Sequence, residues 1–179
     1  MALLIRQITS NIEAGTDEAG RGCLAGPVTA AAVILPPDLD LAQLNDSKKL
    51  TEKQRYDLRP QIESKAVAFS YAHVYPYEID QINILNATKL AMKRAVKNLN
   101  AKPATLLIDG NHNIGTGLKE ICIIKGDKTC KSIAAASIIA KFTRDFILKK
   151  ISRIYPYYRL EKNKAVSYTH LTLPTKRIV

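Results

Sequence analysis

Two adjacent carboxylates, Asp17 and Glu18, stand in the stretch "AGTDEAGRGCLAGPV" (residues 14 to 28), among glycines and Arg21 and directly before an apolar run. Two further acids repeat the arrangement: Asp109 closes "ATLLIDGN" (104 to 111) and Asp127 closes "EICIIKGD" (120 to 127). Carboxylates at the edge of an apolar layer are costly unless paired, and several at neighbouring strand ends repel one another. A divalent cation resolves that conflict. An oxygen-only ligand set, with no His or Cys at zinc-like spacing, suits Mg²⁺ or Mn²⁺. Two such ions, about 3.5 to 4 Å apart, can activate a water and steady the leaving oxygen of a phosphodiester. Asp109-Gly110 is equally a turn signal in its own right. Asp17 and Glu18 also point to opposite faces of any regular strand. Either the backbone bends there, with Gly20 and Gly22 permitting it, or only one of the two touches metal.

The elements that must carry these acids follow from the pattern. "PVTAAAVIL" (27 to 35) reads as a central strand covered on both faces. A helix is expected from Thr51, a good N-terminal residue ahead of Glu52 and Gln54. Residues 66 to 78 alternate, with Val67, Phe69, Tyr71, His73 and Tyr75 on one face of a strand. Asn83 to Leu99 turns helical and carries Lys89, Lys93 and Lys97 four residues apart. Like charges at that spacing disfavour a helix by roughly 0.2 to 0.5 kcal/mol per pair, so the stripe is either a solvated face or a surface for phosphates. Two short strands end at the glycine turns after Asp109 and at Asp127. A long helix runs from Thr129 to about Ile154, with Ala135, Ile139, Phe142 and Phe146 as its apolar stripe and Ser137, Lys141, Arg144 and Asp145 as its polar one. Arg144 and Asp145 read as a pair on that helix. The sum is an α/β domain, a mixed central β-sheet flanked by α-helices, and the length of 179 residues suits one domain.

Charge narrows the partners. The net charge of +11 is uneven: residues 1 to 84 carry −3, residues 85 to 164 carry +12, and the last 15 add +2. A basic half is the usual footprint of a polyanion partner, although a plain soluble basic surface gives the same count. No run of about 18 apolar residues marks a membrane span, and "MALLIRQITSN" lacks a signal-peptide cleavage pattern. Cys23, Cys122 and Cys130 have no C-x-x-C spacing and read as reduced, small fillers. His112 reads as polar loop surface. A cytoplasmic protein is expected.

Taken together, "GTDEAGRGCLAGPV", "LNDSKKL", "NILNATKLAM", "LLIDGN" and "KGDKTCKSIAAASIIAKFTRD" closely resemble bacterial ribonuclease HII, the type 2 ribonuclease H, over most of residues 13 to 164. The resemblance implies a ribonuclease H-like fold and metal-dependent endonucleolytic cleavage of RNA in RNA–DNA hybrids and at ribonucleotides embedded in duplex DNA. The ends left would be 5′-phosphate and 3′-hydroxyl, a task of DNA replication and repair. By motif, the catalytic and metal-binding acids would be Asp17, Glu18, Asp109 and Asp127, holding Mg²⁺ or Mn²⁺. Gly20, Arg21 and Gly22 would bring backbone groups to the ribose 2′-hydroxyl and adjoining phosphates, which glycine's missing side chain permits. Lys48 would contact phosphate. The sister ribonuclease HIII group fits less well, since it carries an extra N-terminal domain.

The likeness stops after "YPYYRLEKNK". Residues 165 to 179, "AVSYTHLTLPTKRIV", show none of the family's pattern, and Val166 stands where relatives place a tyrosine that stacks on the deoxyribose beyond the junction. The expectation is a catalytic domain over 1 to 164 and a non-family tail over 165 to 179. A clamp-binding peptide, which relatives carry at the C-terminus, finds no support in this tail. The competing reading of the altered terminus is a hybrid-binding protein with weak or no catalysis.

Overall fold

A computed structural model describes residues 12–39, 44 and 50–162. Five strands, β1 (Glu13–Ala19), β2 (Val28–Ile34), β3 (Ala68–Val74), β4 (Thr105–Asp109) and β5 (Lys119–Ile123), form one sheet in the order β3-β2-β1-β4-β5. β1, β2 and β3 are antiparallel neighbours, while β4 and β5 add in parallel beside β1. The helices are α1 (Glu52–Lys65), α2 (Pro76–Lys97) and α3 (Lys131–Ile154). The sheet is mixed, as expected, and helices cover both faces.

β2 is the central strand the apolar run implied. All seven of its residues are buried, with Val28, Ala30, Ala32 and Ile34 packing on the α2 side and Ala31 and Val33 on the side of α1 and α3. Thr51 caps α1 through a reciprocal box: its hydroxyl accepts from Gln54 N at 3.2 Å, and Gln54 Oε1 accepts from Thr51 N at 2.8 Å.

Three expectations need correction. The strand expected over 66 to 78 ends at Val74, because Pro76 sits at the first turn of α2 and fixes a helical φ there. α2 then breaks at Asn83 (φ 66°), whose side chain caps the second half by accepting from Asn86 N at 3.1 Å. The helix read from Asn83 onward is that second half. Second, β5 is an edge strand with no fully buried residue, unlike β4, and Asp127 lies beyond it in a 3-10 turn, Gly126–Lys128. Third, the apolar and polar stripes of α3 do not divide buried from exposed residues. Ser137, Arg144 and Asp145 are buried and Phe146 is exposed. Phe142 packs on the Tyr56 ring at 4.4 Å between centroids, and the Arg59 guanidinium lies over the Phe142 ring at 4.1 Å from its centroid.

α3 lies very low on β1. A Cβ on Gly15 would fall 2.3 Å from the backbone carbon of Ser132. Only glycine lets the helix lie this low on the strand, and the small residues Ala134, Ala135, Ala136 and Ala140 continue the same tight seam.

Candidate active site

The pairing of β1 with β4 sets the site. Gly15 faces Leu107 and Thr16 faces Ile108, so the next residues on the two parallel strands are Asp17 and Asp109. The antiparallel register of β1 with β2 continues unbroken through Asp17, Glu18 and Ala19. The backbone therefore does not bend between the two acids, and they face opposite sides of the sheet. Asp17 points to α3, where the Ser137 hydroxyl donates to it, and its Oδ1 accepts from Glu18 N at 2.7 Å. Glu18 looks to the α2 side, where it lines a small cleft with Arg21, Thr88, Lys89, Asp109 and His112. The bend comes later, at Gly20 (φ 107°).

Asp17, Glu18 and Asp109 are close enough to feel one another. Burial above all, and then the charges of Glu18 and Asp109, push the Asp17 carboxyl well above the usual carboxylate range; the Ser137 hydroxyl and Glu18 N–H only partly offset this. Glu18 is raised by burial and by Asp109, with the Asp17 hydrogen bond and the Arg21 charge acting against the shift. Asp127 is 2% exposed and belongs to the turn after β5. Its neighbour Gly126 donates its N–H to Asp109 Oδ1 at 2.7 Å, which ties that turn to the end of β4. Among the described residues, no three His, Cys, Asp or Glu side chains already converge as a cage for an ion. The donor chemistry nonetheless fits a hard divalent cation: all oxygen, with Asp17 and Glu18 held above the usual carboxylate range first by burial and then by neighbouring negative charge, which a cation would offset.

Of the other expected residues, Arg21 and Gly22 are exposed at the tip of the loop after β1, Gly20 lies half-buried beneath them, and His112 is exposed. Lys48 lies outside the described residues, as does the C-terminal segment on which the tyrosine and clamp expectations fall. Arg144 and Asp145 do not pair. Asp145 takes Lys141 at 2.9 Å, and Arg144 turns to backbone carbonyls under the loop. Cys130 is buried and Cys23 and Cys122 are half-buried free thiols.

Ser137 and Lys89 are the site residues that sequence reasoning passed over. Ser137 was visible only as part of a polar stripe, and Lys89 as the first of three lysines. The signal for Ser137 was the run of alanines before it, since a helix face made of Ala packs too closely on its neighbour to leave an adjacent hydroxyl in water.

Known proteins share this architecture. The crystal structure of the ribonuclease H2 from Pyrococcus horikoshii OT3 superposes with a TM-score of 0.70 at 29% identity, covering 80% of this chain and 76% of that one. The ribonuclease HII of the PCNA:RNase HII complex from Archaeoglobus fulgidus gives 0.69 at 26% identity, covering 80% and 78%. Bst-RNase HIII in complex with Mn²⁺ gives 0.69 at 21% identity, covering 84% and 57%, a likeness of fold. A mixed sheet whose adjacent parallel strands end in acids, on this fold, defines a nuclease of the ribonuclease H type. The narrower match is in sequence. The profile described as Ribonuclease HII matches residues 14–168, and the Ribonuclease HII of Bacteroides thetaiotaomicron is 56% identical over 154 residues, 86% of this chain and 77% of that protein. The chain belongs to the ribonuclease HII family and is a ribonuclease H endonuclease.

Proposed function

We propose that the chain cleaves RNA in RNA–DNA hybrids, and ribonucleotides embedded in duplex DNA, with Mg²⁺ or Mn²⁺ held by Asp17, Glu18, Asp109 and Asp127. The observation that carries this reading is the placing of Asp17, Glu18 and Asp109 at the ends of adjacent parallel strands, near enough that the Asp109 charge adds to burial in raising both other carboxyls. When bound, divalent ions would neutralise charge developing on the phosphodiester and sharpen the acidity of an attacking water, leaving 5′-phosphate and 3′-hydroxyl ends. The Mn²⁺ seen with Bst-RNase HIII is in keeping with such a requirement.

The chain's own groups do the positioning. Ser137 holds the Asp17 carboxylate from the α3 side, and the Gly126 N–H holds Asp109. The cleft beside Glu18 measures about 30 Å³, too small for a nucleotide, so the substrate lies across the surface rather than inside it. Lys89 in that cleft and the exposed Lys93 beyond it offer cations to a phosphate backbone tracking along α2. The tip at Arg21 and Gly22 is free to meet the ribose 2′-hydroxyl with backbone groups. No helix among the described residues is long and apolar enough to cross a membrane, and a cytoplasmic place of action goes with this reading.

The direct test is product formation from a hybrid with Mg²⁺, Mn²⁺ or EDTA, for the parent chain and for Asp109→Asn. Metal-dependent cleavage lost in the variant supports the reading. Turnover in EDTA, or turnover by Asp109→Asn near that of the parent, defeats it.

A further inference from the structure

The charge that the site does not use lies just beneath it. Arg144 is the largest fully buried side chain of the described residues, 0% exposed. Among the described residues no ion pair joins it to a carboxylate. Its Nε donates to Pro27 O at 3.0 Å and its Nη2 to Ala25 O at 2.7 Å, while Nη1 has no hydrogen-bond partner. A guanidinium buried without a counter-ion is an expensive way to fill space, and apolar residues of similar volume often do so more stably. What this one holds is the loop from Gly20 to Pro27.

The loop is shaped to sit on it. A Cβ on Gly20 would fall 2.4 Å from Arg144 Nε, and one on Gly26 would fall 2.7 Å from Leu148 Cδ2 and 3.6 Å from Arg144 Nη2. Both glycines have positive φ, 107° and 86°. The two ends of the loop are therefore pressed onto one turn of α3. Between them Cys23 N closes a tight turn on Gly20 O at 3.1 Å, and Arg21, Gly22 and Leu24 project outward. At Gly22, by contrast, an added Cβ would meet nothing within 4 Å. Its lack of a side chain answers to no contact inside the protein.

We infer that Arg144 is a positioning residue that sets the height of the Arg21-Gly22 tip over the acids, and through it the preference for a ribonucleotide at a junction with DNA. The inference rests on the proposed reading of the Gly20–Gly22 segment. Its fork geometry matters: a guanidinium spans two carbonyls two residues apart, whereas a lysine presents a single point charge. Lysine thus keeps the buried charge and loses the span.

The experiment compares kcat/KM on a duplex with one embedded ribonucleotide against kcat/KM on a long RNA–DNA hybrid, for the parent chain, R144K, R144M and G22A, with the Mn²⁺-induced rise in Tm as a readout of the acids. For R144K and R144M the junction-to-hybrid ratio is expected to fall about tenfold, the scale of one lost charge-assisted hydrogen bond, with the Mn²⁺-induced rise kept. If G22A lowers the ratio while both Arg144 variants leave it unchanged, or lower both substrates in proportion, the proposal is overturned and the tip reading stands. If G22A leaves the ratio unchanged, the tip reading itself fails and the proposal falls with it. Failure of both Arg144 variants to fold makes the arginine a residue of the core, which also overturns it.

Discussion

At the scale of single residues, two acids of the proposed site, Asp17 and Glu18, work against the fold. Asp17 and Glu18 have folded-state pKa values raised above those of an unfolded chain, chiefly by burial. Such groups favour the folded state below their unfolded pKa, and that contribution is lost as pH rises through the raised folded value. Without divalent cation, the protein is therefore expected to melt at a higher temperature in mildly acidic buffer than at neutral pH. Asp17→Asn should raise Tm at neutral pH and flatten this dependence while cutting hybrid cleavage by at least about a hundredfold; thermal melts across pH and a cleavage assay check the two halves. A variant less stable than the parent at neutral pH would mean that the carboxylate is compensated in the fold. Glu120 is the opposite case. Its carboxylate accepts from the N–H groups of Ile114, Gly115 and Thr116, which draws its pKa down against the cost of burial. That contribution is present above the unfolded pKa and disappears as pH falls through the lowered one. Glu120→Ala should cost about 1 to 2 kcal/mol at neutral pH, measured by denaturant unfolding, with a smaller cost in acid.

At the scale of elements, the site depends on how low α3 lies on β1. Gly15→Ala drives a Cβ into the Ser132 backbone. It should destabilise by about 1 to 3 kcal/mol and lift Ser137 from Asp17, so that activity falls further than the folded fraction does; comparing turnover per folded molecule with the unfolding curve separates the two effects. This seam also marks the limit of what the sequence could say. The apolar run of β2, the Thr51 cap and the alternation in β3 are local patterns, and each was readable where it stood. So was the position of Asp17, Glu18 and Asp109 on strands, because carboxylates beside apolar runs are conspicuous, and the five motifs pointed to the family directly. The burial of the polar stripe of α3 was not legible, because a periodic pattern cannot tell a solvated polar face from one buried against carbonyls and a carboxylate more than a hundred residues away. The start of α2 was hidden because Tyr75 and Tyr77 continue the alternation of β3 past the proline that ends it. Asp127 read as a strand end because β5 and the turn that follows it form one unbroken segment in sequence.

At the scale of the whole molecule, three lysines of the basic half follow α2 outward from the proposed site. Lys89 opens into the cleft beside Glu18, and Lys93 and Lys97 carry the charge outward along α2. Binding to a hybrid should weaken steeply with salt, each phosphate contact adding about 0.9 to the log–log slope. Replacing Lys93 and Lys97 with alanine should lower that slope by up to about two and weaken binding evenly across base sequences; titrations at several salt concentrations measure both. The measurement closest to the central claim is cleavage of a labelled DNA duplex containing one ribonucleotide, beside a long RNA–DNA hybrid, each with Mg²⁺, Mn²⁺ or EDTA. The account predicts that both are cut only with metal and that the embedded ribonucleotide is cut on its 5′ side. Cleavage that persists in EDTA, or a hybrid that is bound with metal present and never cut, would contradict it.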